Sequence, residues 1–335
     1  MRTDSRAISW MQSRSGLSTI LTAMLLAVLC VASVRAARRI RPDASHFGIV
    51  AFDLNEPVPA KLAALGVGVV RGSCNWWGLE PAPGAFDWRC SDNVIVGAQR
   101  QGLRSYMTVT CAPAWSTGAF DCGALPRDMT DWYDFVRHFV ARYRQYDVVL
   151  GVWNEPNLAL RDDPSGAIYA QMFINASNAR NSVDPRFVLA GPEVSHHAIA
   201  AGYYARVMDV IQSWNALNPW DVVAVHWYRD GPPLTQFLDA VHAAAERHDV
   251  WLSETGYSTP DARAQADFYR EMLDAFATSR RPWWTHLIFY RLWDGGDCCT
   301  ESILTGDYRA KPAFDALHQW LDSALDESKD PRPPR

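Results

Sequence analysis

The chain has 335 residues, of which 48% are hydrophobic and 21% are charged, and this composition suits one large globular domain. Its formal net charge is −5 and its arginines are scattered along the sequence. Binding of nucleic acid depends on clustered cations, so the charge pattern argues against a nucleic-acid partner and favours a neutral substrate.

The first element in chain order is an apolar stretch over residues 17–34, which is preceded by arginines and followed by Ala36. This layout is typical of a secretory signal that is cleaved after Ala36 and occupies residues 1–36. Basic residues directly beyond it leave a second interpretation open, in which residues 17–34 stay as a membrane anchor. We therefore expect a secreted or periplasmic protein, or one tethered to the membrane by this segment.

Strand-like and helix-like segments then alternate, which predicts eight βα units and a parallel sheet. The eight predicted strands cover residues 47–52, 67–71, 104–110, 147–153, 187–190, 222–227, 250–253 and 285–292. Apolar residues at helical spacing between them, as in 132–143, predict helices on the outside of this sheet. The sequence thus predicts an α/β protein with a single (β/α)8 TIM barrel over residues 37–325 and a disordered tail at 326–335.

The chain has seven cysteines, and six stay if Cys30 leaves with the signal. An even number of cysteines in an exported protein favours disulfides. Cys74 with Cys90, and Cys111 with Cys122, would each staple one loop, although six cysteines allow many other pairings. The last two, Cys298 and Cys299, are adjacent and would form either a vicinal bridge or bonds to other loops. Without a Cys-x-x-Cys pair or clustered histidines, we expect no metal site and no cofactor.

Two short motifs place a glutamate directly after a predicted strand. Glu155 lies in the sequence VWNEPN and Glu254 in WLSETG. A proline or glycine after each glutamate ends regular structure, so each carboxylate should emerge at the carboxyl end of its strand. That end of a (β/α)8 barrel carries the functional residues of its enzymes. For either motif alone, a helix cap or a salt bridge is the alternative role.

Together the two motifs resemble the large clan of retaining glycoside hydrolases with (β/α)8 barrels, and the resemblance covers residues 46–322. The sequence WNEPN at 153–157 and the upstream GLEPAPGAFDW at 78–88 most resemble family 39 and related enzymes that act on extracellular polysaccharide. The resemblance implies that Glu155, on predicted strand four, is the acid/base and Glu254, on predicted strand seven, is the nucleophile. Glu155 must then stay protonated near neutral pH, which apolar surroundings and the charge of Glu254 would favour.

The same resemblance implies supporting roles for residues at two other strand ends. Arg71 and Tyr228 would donate hydrogen bonds to the nucleophile, and His226 would line the sugar site. Asn154, beside the acid, would hold a sugar 2-hydroxyl. Salt-bridge, packing and turn roles are the alternatives for these residues. The strand end at 106–110 carries no histidine, in contrast to several families of the clan.

Fifteen tryptophans are many for a chain of this length, and several cluster at predicted strand ends. Sugar rings stack on flat aromatic faces, so an aromatic rim is expected for a saccharide cleft. Trp293 resembles the platform that the clan places under the sugar being cleaved. Trp76, Trp77 and Trp115 would stack on more distant sugars or, alternatively, pack in the core.

The sequence therefore predicts an O-glycosidase, a retaining glycoside hydrolase that acts as a monomer on an oligo- or polysaccharide. We expect endo action by double displacement through a covalent glycosyl-enzyme. One alternative is an exo-acting glycosidase of the β-xylosidase or uronidase type, which would use the same two glutamates. The other is a catalytically dead barrel that only binds sugar.

Overall fold

The computed structural model describes residues 43–160, 163–197, 202–214, 220–244, 248–293 and 300–328. Residues from 41 onward form one compact unit. The predicted signal or anchor, the adjacent Cys298 and Cys299 and the end of the predicted tail all lie outside the described residues. No helix among the described residues is long and apolar enough to cross a membrane.

Nine parallel strands form one sheet in the order β5-β4-β3-β2-β1-β9-β8-β7-β6. The strands are β1 (Phe47–Val50), β2 (Val69–Asn75), β3 (Arg104–Thr110), β4 (Val148–Val152), β5 (Val188–Ala190), β6 (Val194–Ser195), β7 (Val223–His226), β8 (Val250–Thr255) and β9 (Trp284–Phe289). The parallel α/β sheet is thus confirmed, with eight strands close to their predicted positions. The additional strand, β6, has only two residues and leaves no periodic pattern in the sequence.

Helices and single helical turns connect the strands. They are α1 (Val58–Leu65), α2 (Trp76–Leu79), α3 (Arg89–Arg100), α4 (Ala114–Thr117), α5 (Met129–Tyr143), α6 (Pro156–Ala159), α7 (Ala167–Val183), α8 (Tyr203–Ser213), α9 (Leu234–Ala244), α10 (Ala262–Thr278) and α11 (Pro312–Ser328). The apolar face predicted within 132–143 is buried in α5. The predicted tail is wrong for residues 326–328, because α11 continues through them to Ser328.

Side chains that alternate along the strands separate the core into two layers. The inner layer takes one residue from each strand except β6, namely Val50, Val69, Tyr106, Val149, Ala190, Ala224, Trp251 and Ile288. The outer layer is larger and packs the other face of the strands against the helices. This arrangement holds the strand ends rigidly, so side chains that follow the strands are fixed relative to one another.

The sheet is strongly curled, because its two ends approach each other. Ala190, the last residue of β5, forms a parallel bridge with Val222, which precedes β7. The amide of Gly191 donates to the carbonyl of Val222 at 3.0 Å, and the amide of Ala224 donates to the carbonyl of Gly191 at 3.3 Å. These bonds bring the end of β5 beside β7, so the carboxyl ends of the strands converge.

Two disulfides join strand ends to the segments that follow them. Cys74 in β2 is bonded to Cys90 in α3, and Cys111, directly after β3, is bonded to Cys122. Both pairings are those expected from the sequence. Cys111 and Cys122 also line a cavity of about 970 Å³, so the second bridge stabilises a segment at the wall of this cavity.

Candidate active site

Glu155 and Glu254 both emerge at the carboxyl edge of the sheet. Glu155 follows β4, and its backbone has left-handed dihedral angles, with φ 43° and ψ 58°. Trp153, two residues earlier, also has a positive φ of 65°. Such angles are costly for residues other than glycine and are frequent at active sites. These angles turn the chain sharply after β4. Glu254 needs no such turn, because it lies within β8.

The two glutamates line one cavity of about 970 Å³. Glu254 is buried, with 6% of its surface exposed, and Glu155 is half-buried. One oxygen of each carboxylate, with a ring nitrogen of His226, lies within 4.8 Å of the others. The geometry thus unites two carboxylates that are 99 positions apart in the sequence, as the motifs predict.

Both oxygens of Glu254 have hydrogen-bond donors. Nη1 of Arg71 hydrogen-bonds Oε1, and the hydroxyl of Tyr228 donates to Oε2 at 2.7 Å. Burial first, and then the charge of Glu254, raise the pKa of Tyr228 well above its usual value, so that its hydroxyl remains a donor. The carboxylate of Glu254 is therefore oriented on both sides.

His226 lies between the two carboxylates and is fully buried. Its Nδ1 is 3.0 Å from Oε1 of Glu155 and 3.4 Å from Oε2 of Glu254. Burial lowers the pKa of His226, but the charge of Glu254 and the hydrogen bond with Glu155 outweigh that effect and raise it. The contact with the two carboxylates thus favours the charged form of the imidazole.

The pKa of Glu155 is accordingly lowered. Burial raises it, but the hydrogen bond and the charge of His226 outweigh burial and favour the ionised carboxylate. Burial alone would raise this pKa, as expected from the sequence, but in the free protein the contact with His226 outweighs it. The cause is a contact between the ends of β4 and β7, which the residues adjacent to Glu155 in sequence do not indicate.

A third glutamate, Glu193, is part of the site, although sequence reasoning missed it. It is fully buried between β5 and β6, and its carboxylate accepts hydrogen bonds from Tyr106 Oη at 2.8 Å and Thr108 Oγ1 at 3.1 Å. Gly151, in the middle of β4, makes the space for it, because a Cβ there would lie 1.6 Å from Oε1 of Glu193. A glycine inside an apolar strand often marks a close approach by another group, so Gly151 was the feature of the sequence that could have indicated a neighbour such as Glu193.

Arg71 connects the carboxylates. Its Nη2 lies 2.7 Å from Oε2 of Glu193 and donates to Oδ1 of Asn154 at 3.0 Å, while its Nη1 contacts Glu254. Its side chain is buried. One guanidinium thus forms ion pairs with two carboxylates and also orients Asn154, which is next to Glu155 in the chain.

The glycosyl hydrolase catalytic core model matches residues 115–283. The chain belongs to this family. No curated protein matches the chain in sequence.

Solved structures of glycosidases share the fold. A family 39 glycoside hydrolase from Bacteroides cellulosilyticus WH2 has a TM-score of 0.65 and 15% identity, over 84% of this chain and 64% of its own. A glucosidase from Croceicoccus marinus has a TM-score of 0.67 and 16% identity, over 86% and 69%. Xylanase 10B from Thermotoga maritima has a TM-score of 0.62 and 14% identity, over 86% and 99%. The chain therefore spans less than two thirds of the family 39 enzyme and nearly all of the xylanase. The glycosidase assignment made from the sequence is confirmed.

None of the tryptophans predicted to contact sugar lines the cavity of this glycosidase. Trp76 is fully buried in the core, and Trp115 packs against it. Trp77 packs against Phe120. Trp293 stacks on a tyrosine, with ring centroids 4.5 Å apart, and donates to the carbonyl of Gly306. Trp76 thus has the core role that the sequence left open, whereas contact of Trp77, Trp115 and Trp293 with sugar stays a prediction.

Phe52 and three tyrosines line the cavity of the glycosidase instead, namely Tyr228, Tyr257 and Tyr290. Tyr290 directly follows β9, which ends at Phe289, whereas the sequence extended this strand to residue 292. The observed strand is therefore three residues shorter at this end than predicted. An aromatic ring is present at the end of the strand, but it belongs to a different residue.

Proposed function

We propose that the glycosidase cleaves its substrate with retention of anomeric configuration. The observation that carries this proposal is the separation of less than 4.8 Å between oxygens of Glu155 and Glu254. Carboxyl groups in retaining enzymes are about 5 to 5.5 Å apart, whereas inverting enzymes need about 6.5 to 9.5 Å to admit a water molecule.

In this mechanism Glu254 attacks the anomeric carbon while Glu155 protonates the leaving oxygen, and a covalent glycosyl-enzyme forms. Glu155 then removes a proton from the water that displaces Glu254 from the sugar, which regenerates Glu155 as the acid and Glu254 as the carboxylate. Asn154, oriented by Arg71, would donate to the sugar 2-hydroxyl. Arg71 and Tyr228 stabilise Glu254 as the ionised nucleophile and as the leaving carboxylate.

The acid step requires a proton on Glu155, whose pKa is lowered in the free protein by the contact with His226. His226 is the proposed source, because its raised pKa holds a proton at 3.0 Å from the Glu155 oxygen. A substrate that excludes water from the cavity would penalise the charged pair and favour transfer of this proton to Glu155. In this proposal His226 positions Glu155 and holds the proton that Glu155 receives.

We also propose that the curled sheet is an eight-stranded barrel. In this interpretation β5 and β6 are two parts of the fifth strand, which is interrupted at Pro192 because proline lacks the amide hydrogen that a strand pairing needs. The eight-residue inner layer and the bonds between Gly191 and β7 support it.

The proposed substrate is a polysaccharide, cleaved by endo action outside the cytosol by a monomer. The cavity volume of about 970 Å³ is at the upper end of the range for small-ligand sites and leaves room for more than one sugar ring. The two disulfides favour an exported protein. Exo action on a xylose or uronic-acid end uses the same two carboxylates and is the competing proposal.

Oligosaccharides of increasing length distinguish endo from exo action. For an endo enzyme, kcat/KM should rise steeply with each added unit, because remote contacts supply binding energy at the transition state. Product analysis by chromatography should show internal cleavage from the first time points. Release of single sugars only, at a rate independent of length, would contradict endo action.

Glu155→Ala tests the retaining mechanism. Loss of the acid should lower kcat/KM for an oligosaccharide by about 10² to 10⁴-fold, but much less for an aryl glycoside whose leaving group departs without a proton. Azide should restore turnover and give a glycosyl azide with the configuration of the substrate, which NMR measures. The exposed Glu56→Ala variant is the matched control. Equal losses on both substrates, without a response to azide, would exclude Glu155 as the acid/base.

A further inference from the structure

A second group of potential ligand atoms lies on the wall of the same cavity. His196 and His197 directly follow β6, and Asp230 lies in the segment after β7. One ligand atom from each lies within 4.8 Å of the other two. We propose that these three residues bind one divalent transition-metal cation, for which Zn²⁺ is the best match.

His196 supplies the main argument. It is 6% exposed, and neither Nδ1 nor Nε2 has a hydrogen-bond partner among the residues that the structure describes. A buried polar group without a partner costs about 1 to 3 kcal/mol, so such a ring is expected to bind something that enters the cavity.

The distances require only a small adjustment. Nε2 of His196 is 3.9 Å from Oδ1 of Asp230, and the rings of His196 and His197 have centroids 4.0 Å apart. Zinc bonds of about 2.0 to 2.2 Å in a tetrahedral site place two ligand atoms roughly 3.3 Å apart. Asp230 and His197 are exposed and can approach the ion without repacking the core.

The ligand types select the ion. Two imidazoles and one carboxylate suit Zn²⁺ and similar ions, whereas Ca²⁺ and Mg²⁺ prefer oxygen ligands alone. Three protein ligands leave a fourth position open toward the cavity, which is the arrangement of a site that exchanges water for another ligand. From the sequence alone we expected no metal, because we saw no Cys-x-x-Cys pair and no cluster of histidines. Asp230 is far from His196 and His197 in the sequence, and only the pairing of β6 with β7 brings the three residues together.

The proposed metal site is close enough to Glu155 for the charge of a bound ion to act on this carboxylate, since His196 and Glu155 interact electrostatically. A bound cation would favour the ionised form of Glu155 and could accept a sugar hydroxyl on the side of the leaving group. This consequence rests on the proposed function, but binding of the ion does not.

Calorimetric titration of the untagged, chelator-treated full chain with ZnCl₂ and with CaCl₂ tests the proposal without substrate. We expect one Zn²⁺ per chain and no comparable heat from Ca²⁺. His196→Ala and Asp230→Asn should each weaken zinc binding by about tenfold or more. His138→Ala, which changes an exposed histidine on α5, should leave it unaltered.

Glu155→Gln separates this site from the group formed by Glu155, His226 and Glu254, which also has metal-ligand spacing. Zinc binding that survives in Glu155→Gln supports the proposal. Binding that is lost there but retained in His196→Ala and Asp230→Asn, or no binding to the unaltered chain, would overturn it. If His196→Ala fails to fold by circular dichroism, the exposed Asp230→Asn decides. None of these outcomes depends on glycosidase activity.

Discussion

Glu254→Gln should lower kcat by about 10⁴ to 10⁶-fold and leave the protein folded. The change removes the proposed nucleophile, and loss of a nucleophile eliminates most of the rate acceleration of an enzyme. The amide has the shape of the carboxylate and keeps an oxygen for Arg71. Steady-state kinetics and thermal unfolding of the variant measure both effects.

A mechanism-based fluorosugar of the correct type gives the matching positive result in the unaltered protein. It should form a stable ester with Glu254, which peptide mass spectrometry would locate. The exposed Glu56→Gln variant should label and turn over like the unaltered chain. A label on another residue, or wild-type turnover in a folded Glu254→Gln variant, would refute the assignment.

Arg71→Met should lower the free energy of unfolding by about 3 to 5 kcal/mol, besides its effect on activity. The guanidinium is the partner of two buried carboxylates, Glu193 and Glu254. Its removal leaves these charges in the protein interior without their counter-ion, which is the costly way to break a buried ion pair. Denaturant unfolding followed by circular dichroism measures the change.

The double variant Arg71→Met/Glu193→Gln identifies the cause. Neutralising Glu193 removes the charge that is fully buried, so the double variant should be more stable than Arg71→Met alone. Arg142→Met, which breaks a solvent-exposed ion pair with Asp92, is the matched control and should cost about 1 kcal/mol or less. If Arg71→Met costs no more than this control, Arg71 is not the counter-ion of a buried carboxylate network.

The sequence predicts correctly those features that depend on residues close together in the chain. β3 was predicted with its observed bounds, because alternation and length distinguish it from a helix. Glu155 and Glu254 were found for the same reason, since each follows an apolar run and precedes a residue that ends it. The direction of the strands then places both at one edge of the sheet.

What the sequence did not predict depends on contacts between distant strands. Glu193 belongs to the site only because β5 pairs with β4 and β4 with β3, and its donors come from positions 71, 106 and 108. The lowered pKa of Glu155 follows from one hydrogen bond to His226. The position of Tyr290 depended on a strand boundary, which is the least certain part of a prediction from pattern.

The absence of a side chain at Gly151 limits which substitutions the protein can tolerate. Even a methyl group there would occupy the place of a Glu193 oxygen, and it would also crowd the Tyr106 ring. Any larger residue would force Glu193 to move, and with it the guanidinium that orients Glu254 and Asn154. The tolerance of the active site to mutation is therefore decided partly inside the sheet, at a residue that contacts no substrate.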